Sequence, residues 1–164
     1  MDYELVDIQV KHIPDFWQAL DSVAREQKFL SFLEGPPIQL TREFVLEQIQ
    51  GNWPQVIAIH DNKVVGWCDI SSLNRPIFAH VGTLGMGVIE AYRGKGIGKA
   101  LIASALKKAK LKGLTRIELT VREHNKSAIN LYKQFGFELE GVHKNGVCIN
   151  GIYENHLFMA LLWI

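Results

Sequence analysis

Net charge, cysteine and long apolar runs are what this 164-residue chain has little of. Eighteen Lys and Arg stand against seventeen Asp and Glu, a formal net charge of +1. That balance leaves no electrostatic footprint for DNA, RNA or an anionic membrane surface. No apolar stretch reaches the roughly 18 residues of a membrane span. The start, Met1-Asp2-Tyr3-Glu4, has neither the basic nor the apolar region of a secretory leader. The two cysteines, Cys68 and Cys148, fit no metal or redox spacing. No metal is therefore expected, and both are read as free thiols on buried strands in a reducing, cytoplasmic setting. Repeats, low-complexity tracts and linkers are also missing. With 48% hydrophobic and 21% charged residues, residues 1–164 are expected to form one domain around a sizeable core.

What the chain does have is a changing hydrophobic period. Residues 3–10 alternate as a first strand. Pro14 fits the first turn of a helix carrying Phe16, Leu20, Val23 and Ala24 to about Gln27. Gly35-Pro36-Pro37 interrupts the pattern, and Thr41 is read as the N-cap of a second helix with Phe44, Val45 and Ile49. Residues 55–60 and 63–70 flank Asp61-Asn62, a hairpin signal. Residues 79–89 read as a long strand. Residues 96–112 form an amphipathic helix, with Gly113 just past its end. A strand over 116–122 and a short helix over 125–135, ended by Gly136, come next. The remainder is strand, with turns expected at Asn145-Gly146 and Asn150-Gly151 and a last strand from about Tyr153 to Leu162.

The densest chemistry lies at Met86-Gly87-Val88 and Arg93-Gly94-Lys95-Gly96-Ile97-Gly98-Lys99. An apolar strand ends, the chain turns, and three alternate glycines open a helix. Unpaired N–H groups and the positive end of the macrodipole suit such a helix start to phosphate. A P-loop fails: Ala100 follows Gly98-Lys99, and Arg93 stands where its first glycine belongs. A dinucleotide fingerprint fits poorly as well. Glu118 is 20 residues after Gly98 but falls in mid-strand, and too little chain follows for a doubly wound sheet. The third reading, Arg93-x-x-Gly96-x-Gly98 between strand and helix, matches an acetyl-CoA turn. It is joined by Asn125-Lys-Ser-Ala-Ile-Asn-Leu-Tyr132 and Gly136-Phe137.

Together these residues resemble the GNAT superfamily of acetyl-CoA-dependent N-acetyltransferases. The resemblance covers most of the chain and is most specific over residues 86–98 and 125–137. The stretch Arg116-Ile-Glu-Leu-Thr-Val-Arg122, the Asn125 run and the end of the chain look most like bacterial members acting on amino acids or similar small amines. The resemblance implies an α/β (α+β) fold: a mixed, mostly antiparallel sheet of about seven strands flanked by about four helices. It implies that backbone N–H groups of Gly94, Lys95, Gly96, Ile97, Gly98 and Lys99 cradle the pyrophosphate, with charge from Arg93 and Lys99. Backbone groups of Met86, Gly87 and Val88 would pair with the pantetheine arm like an added strand, and the Val88 N–H would meet the oxyanion. Asn125 would touch the arm, though it fits a helix N-cap equally well. Tyr132, two turns on along the same face, would protonate the leaving thiolate.

The general base stays open at this point. Some family members carry glutamate where this chain has Thr120. Glu118 shares that face of the strand and is nominated, with Asp69 and His80 as other candidates on neighbouring strands. The acceptor is expected between residues 29–37 and 143–154, where Glu34 and Glu154 are candidates to receive an ammonium group. The leading expectation is acetylation of a small primary amine. Acetylation of a protein or peptide, and a non-catalytic acetyl-CoA sensor, are the alternatives. The apolar end suits a buried last strand, or a homodimer contact through Trp163 and Ile164.

Overall fold

The computed structural model describes residues 1–163. Its strands are β1 (Glu4–Asp7), β2 (Gln55–His60), β3 (Lys63–Ser72), β4 (Val81–Val88), β5 (Arg116–Arg122), β6 (Glu138–Ile149) and β7 (Ile152–Leu162). Its helices are α1 (Ile13–Arg25), α2 (Ile38–Gln50), α3 (Ile97–Leu111) and α4 (Lys126–Gln134). The strands form one sheet in the order β1-β2-β3-β4-β5-β7-β6. Neighbours are antiparallel except β4 and β5, which run parallel. This is the mixed, mostly antiparallel α/β architecture that the resemblance implies. Among the described residues no helix is long and apolar enough to cross a membrane.

Two apolar layers hold the helices to the sheet. Leu101, Ile102 and Ala105 of α3 and Ile129 of α4 pack with Cys68, Ile70 and Ile117 on one face. Phe16 and Val23 of α1 and Val45 of α2 pack with Ile57 and Trp67 on the other. Strand alternation sends Trp67 to one layer and Cys68 to the other. Each fully enclosed side chain of Leu101 and Ile102 size contributes roughly 1.5–3 kcal/mol.

Turn chemistry sets most of the boundaries. Asp61 and Asn62 have φ of 49° and 61°, as a two-residue hairpin loop requires. Asn150 and Gly151, at 52° and 77°, reverse the chain between β6 and β7. Asn145-Gly146 does not: it sits in a bulge of β6 between His143 and Val147, correcting the expected turn. The second helix also starts earlier than expected. Pro37 is its N-cap, the Leu40 N–H bonds the Pro37 carbonyl at 2.9 Å, and Thr41 is a buried residue inside the first turns. His80 lies exposed before β4 rather than on a strand, its carbonyl accepting from Thr115 and Arg116. Cys68 is buried as expected, whereas Cys148 is an exposed strand residue. Trp163 folds back on its own chain, its N–H donating to the Thr115 carbonyl. Ile164 lies outside the described residues.

Candidate active site

The sheet opens at its one parallel junction. Val81, Gly82 and Thr83 pair with Arg116, Ile117 and Glu118, and the register ends there. Residues 84–88 remain paired to β3 alone. The Ile89 N–H donates to the Val65 carbonyl at 3.0 Å. Alternation along the strand therefore aims the backbone groups of Gly87 at β3 and those of Met86 and Val88 into the opening. This corrects the expectation for Gly87, whose main chain is spent within the sheet. Its lack of a side chain has another cause. A Cβ there would lie 2.4 Å from the ring of Trp67, itself buried on β3.

The glycine turn closes the same opening from above. Gly94 and Gly96 have φ of 73° and 82°, and nothing lies within 4 Å of where a side chain would start on either. The left-handed turn and the open space leave the main chain bare toward a ligand. Gly96 caps α3, so the N–H groups of Ile97, Gly98 and Lys99 have no helical partner. The Ile97 side chain is core, and only its backbone faces outward. Lys99 is exposed on the wall of the opening. Lys95 is turned back to the Ala91 carbonyl at 3.1 Å.

Arg93 departs most from expectation. Its Nε donates to the Val88 carbonyl at 2.8 Å, and its two terminal nitrogens grip Glu26 at 2.7 and 2.5 Å. The guanidinium also lies 4.6 Å over the Phe29 ring. It is thus engaged with the segment joining α1 to α2 rather than free for phosphate, a correction to its expected role. Arg122, buried at the end of β5, holds the same segment from the other side through the Gln27 carbonyl at 3.0 Å. Gln27 is itself left-handed, with φ of 57°. The Gly35 N–H bonds Asp21 at 2.8 Å, and the Trp17 indole bonds the Pro36 carbonyl. Sequence reading missed Glu26 and Arg122 as anchors because their partners are 67 and 95 residues away.

These parts surround a cleft of about 1270 Å³. Its wall includes the glycine turn, Asn125 and Tyr132, together with residues 29–33, Pro36, residues 146–149 and His156. The Asn125 side chain accepts the Ala128 N–H at 3.2 Å, so it caps α4 while facing the cleft. Tyr132 is nearly enclosed, its ring 5.8 Å from Phe137, and burial pushes its phenol well above the usual value. The phenol is therefore neutral near pH 7.

The carboxylates divide sharply. Glu118 bonds Arg116 at 3.0 Å, outside the cleft wall, and Arg116 also pairs with Glu140. The nominated base is therefore an ion-paired strand residue, which corrects that expectation. Glu34 is exposed beside Arg25. Glu154 is bonded by Arg122 and by His124 at 2.7 Å. Burial works against its charge, but those two partners win and hold its carboxyl below the usual range. Neither is a free receptor for an ammonium group. Asp69 alone of these acids lines the cleft, where burial raises its carboxyl to about 7. Among the described residues no group of three or more His, Cys, Asp or Glu could hold a metal ion.

Comparison with known proteins meets this geometry. The model of the acetyltransferase (GNAT) family matches residues 17–137. The chain is 36% identical over 107 residues to an L-amino acid N-acetyltransferase of Escherichia coli K12, across 65% of this chain and 66% of that protein. It is 29% identical over 102 residues to a ribosomal protein uS5-alanine N-acetyltransferase of the same organism, across 62% and 52%. A GNAT-family acetyltransferase from Streptococcus pneumoniae superposes with a TM-score of 0.91 at 26% identity, across 98% of this chain and 99% of that one.

Proposed function

The chain belongs to the acetyltransferase (GNAT) family, and we propose that it acetylates the primary amine of a small molecule, favouring an amino acid. Acetyl-CoA is the co-substrate. The bare main chain at Gly94 and Gly96, the unpaired N–H groups opening α3 and the open edge of β4 fit its pyrophosphate and amide-bearing arm. It supplies an acetyl group on a thioester.

In this reading the exposed edge at Met86 and Val88 takes the arm as a missing strand would be taken. The Val88 N–H points into the opening and meets the carbonyl oxygen as negative charge grows on it. A preorganised donor of this kind contributes about 3–4 kcal/mol in measured cases. The amine nitrogen adds to the carbonyl carbon, the C–N bond forms, and the C–S bond breaks. Tyr132 hands its proton to the departing thiolate and regains one from the new ammonium nitrogen through solvent. Neither Lys99 nor Asn125 reacts; they hold the co-substrate.

The observation that carries a small acceptor is the tethering of the α1–α2 segment. Arg93, Arg122, Asp21 and Trp17 pin it across one end of the cleft, so the acceptor half is a walled chamber. A protein tail calls for an open trough instead. The amino acid preference draws on the Escherichia coli relative named above.

The test is CoA release from acetyl-CoA with separate amino acids, polyamines, aminoglycosides and short peptides, beside calorimetric binding of acetyl-CoA. Turnover with amino acids alone supports the proposal. Turnover confined to peptides replaces the acceptor with a protein, and tight binding without turnover makes the chain a sensor.

A further inference from the structure

We propose that Asp69 is the general base that takes the proton from the acceptor's ammonium group, served by a polar cluster with Gln55, Thr83 and Thr41. The inference rests on the acetyltransferase reading and names a residue that reading leaves unassigned.

Position comes first. Asp69 stands opposite Gly85 of β4 and opposite Gln55 of β2. It shares a sheet face with Trp67, the face covered by α1 and α2. That is the side on which the tethered segment walls the acceptor chamber. Tyr132 packs on the opposite face with Cys68 and Leu101. Acid and base therefore flank the edge of β4 from the two sides of the sheet. An amine entering from the α1–α2 side meets Asp69, and the thiolate leaves toward Tyr132.

Room is the second point. The three atoms nearest a side chain built on Gly85 all belong to Asp69, the closest being Oδ1 at 3.4 Å. Glycine there leaves the carboxylate bare along β4, one residue before Met86.

The third observation is independent of Asp69 itself. Gln55 is 3% exposed, yet neither its amide nitrogen nor its amide oxygen has a hydrogen-bond partner, and the Thr83 hydroxyl is equally orphaned. Register places Gln55 beside Asp69, and places Thr83 two residues before Gly85 on the same face. The hydroxyl of Thr41, on α2 and lining the cleft, is a further buried orphan. Native interiors seldom leave such groups unpaired. Unpartnered polar atoms of Gln55, next to Asp69 in register, of Thr83, diagonal to it on the same face, and of Thr41 on the cleft wall are what a water-bridged proton path requires. Gln55 and Thr83 are positioning residues in this scheme.

The step balances simply. The carboxylate of Asp69 accepts one proton from R–NH3+, giving a neutral carboxylic acid and R–NH2, whose freed lone pair attacks the thioester. The proton then leaves Asp69 to solvent along the cluster. A carboxyl titrating near 7 is suited to this exchange at neutral pH. Other titratable groups on the cleft wall are Tyr92 and Arg93 before α3, Lys99 from α3, Tyr132 from α4, Arg122 from β5, Cys148 from β6 and His156 from β7. Burial and then His143 hold His156 below its usual value.

The experiment compares wild type with Asp69→Asn and Glu118→Gln in kcat/KM against pH, with calorimetric acetyl-CoA binding. Asp69→Asn is expected to lose about 100-fold or more at neutral pH. It should bind acetyl-CoA within twofold of wild type and lose the limb near pH 7. Wild-type rate and profile in Asp69→Asn overturn the assignment, as does an equal loss in Glu118→Gln. Carbon-13 titration of the Asp69 carboxyl supplies a readout free of turnover. An inflection near 7 supports the proposal, and one near 4 overturns it. A wild type inactive toward every amine refutes the acetyltransferase reading and the base assignment with it, whereas an active wild type with an unchanged Asp69→Asn refutes the assignment alone.

Discussion

The grip of Arg93 on Glu26 fastens the start of the α1–α2 segment to the end of β4, and its strength is measurable. The perturbation is the double-mutant cycle of Arg93→Gln and Glu26→Gln. The two bonds of 2.7 and 2.5 Å form a bidentate pair. The side chains are 31% and 18% exposed, so the pair is neither on the surface nor enclosed. Exposed pairs are worth about 0–1 kcal/mol, and breaking an enclosed one costs about 3–5 kcal/mol. Partial solvent screening sets the expected coupling between these, at about 1.5 kcal/mol by urea unfolding of the four proteins. Arg93→Gln should also raise the KM of the acceptor several-fold through a loosened α1–α2 segment. Because the guanidinium faces Glu26, acetyl-CoA affinity should change less than threefold. Coupling below about 0.5 kcal/mol refutes the structural argument. A tenfold loss of acetyl-CoA affinity with an unchanged acceptor KM returns the side chain to the phosphates.

Three further outcomes follow from the geometry. Tyr132→Phe should lower kcat about 100-fold while leaving the acetyl-CoA dissociation constant unchanged, since the phenol acts only as the thiolate departs; single-turnover kinetics beside calorimetry check this. Gly87→Ala forces a methyl to 2.4 Å from the buried Trp67 ring. Overpacking of this kind costs about 1–3 kcal/mol, which thermal unfolding of a chain this long should read as a fall of about 2–12 °C in Tm. Asp69 makes stability depend on pH with an unusual sign. Its folded-state value is raised from 3.8 to about 7, so the folded form holds the proton more tightly. Stability is highest with Asp69 protonated and falls as pH rises from about 4 to 7, an order-of-magnitude loss of 2–4 kcal/mol. Asp69→Asn should therefore gain stability over wild type at pH 8 and gain nothing at pH 4 in urea unfolding.

Most elements were legible because their signals are local. Residues 116–122 alternate and are β5; Gly96, Asn125 and Gly136 mark helix ends where the backbone demands them. Thr41 misled because hydroxyl caps are common, while Pro37, with its preset φ, opens the helix first. Asn145-Gly146 misled because the same left-handed pair serves a bulge as readily as a reversal. The main-chain geometry was legible: Gly94 and Gly96 are left-handed turn residues, and the Val88 backbone faces away from β3. Side-chain roles were not. Alternation shows that Glu118 and Thr120 share a face, but not that Arg116 occupies the carboxylate or that the cleft begins beyond it. Arg93 read as a phosphate ligand because its partner, Glu26, is distant in sequence. Asp69 gained its place from strand order, which brings Gly85 and Gln55 to either side of it.

The shortness of the β4–β5 ladder has a mechanical meaning. Strands β1–β4 are knit together by antiparallel pairing, and so are β5–β7. Three parallel pairs, from Val81↔Arg116 to Thr83↔Glu118, are the seam that joins them within the sheet. The molecule is two wings sewn at one end and spread at the other. An amide-bearing arm laid between them stitches the gap, so a reactant doubles as structural cloth. Under the proposed function, each cycle then sews and unpicks part of the fabric.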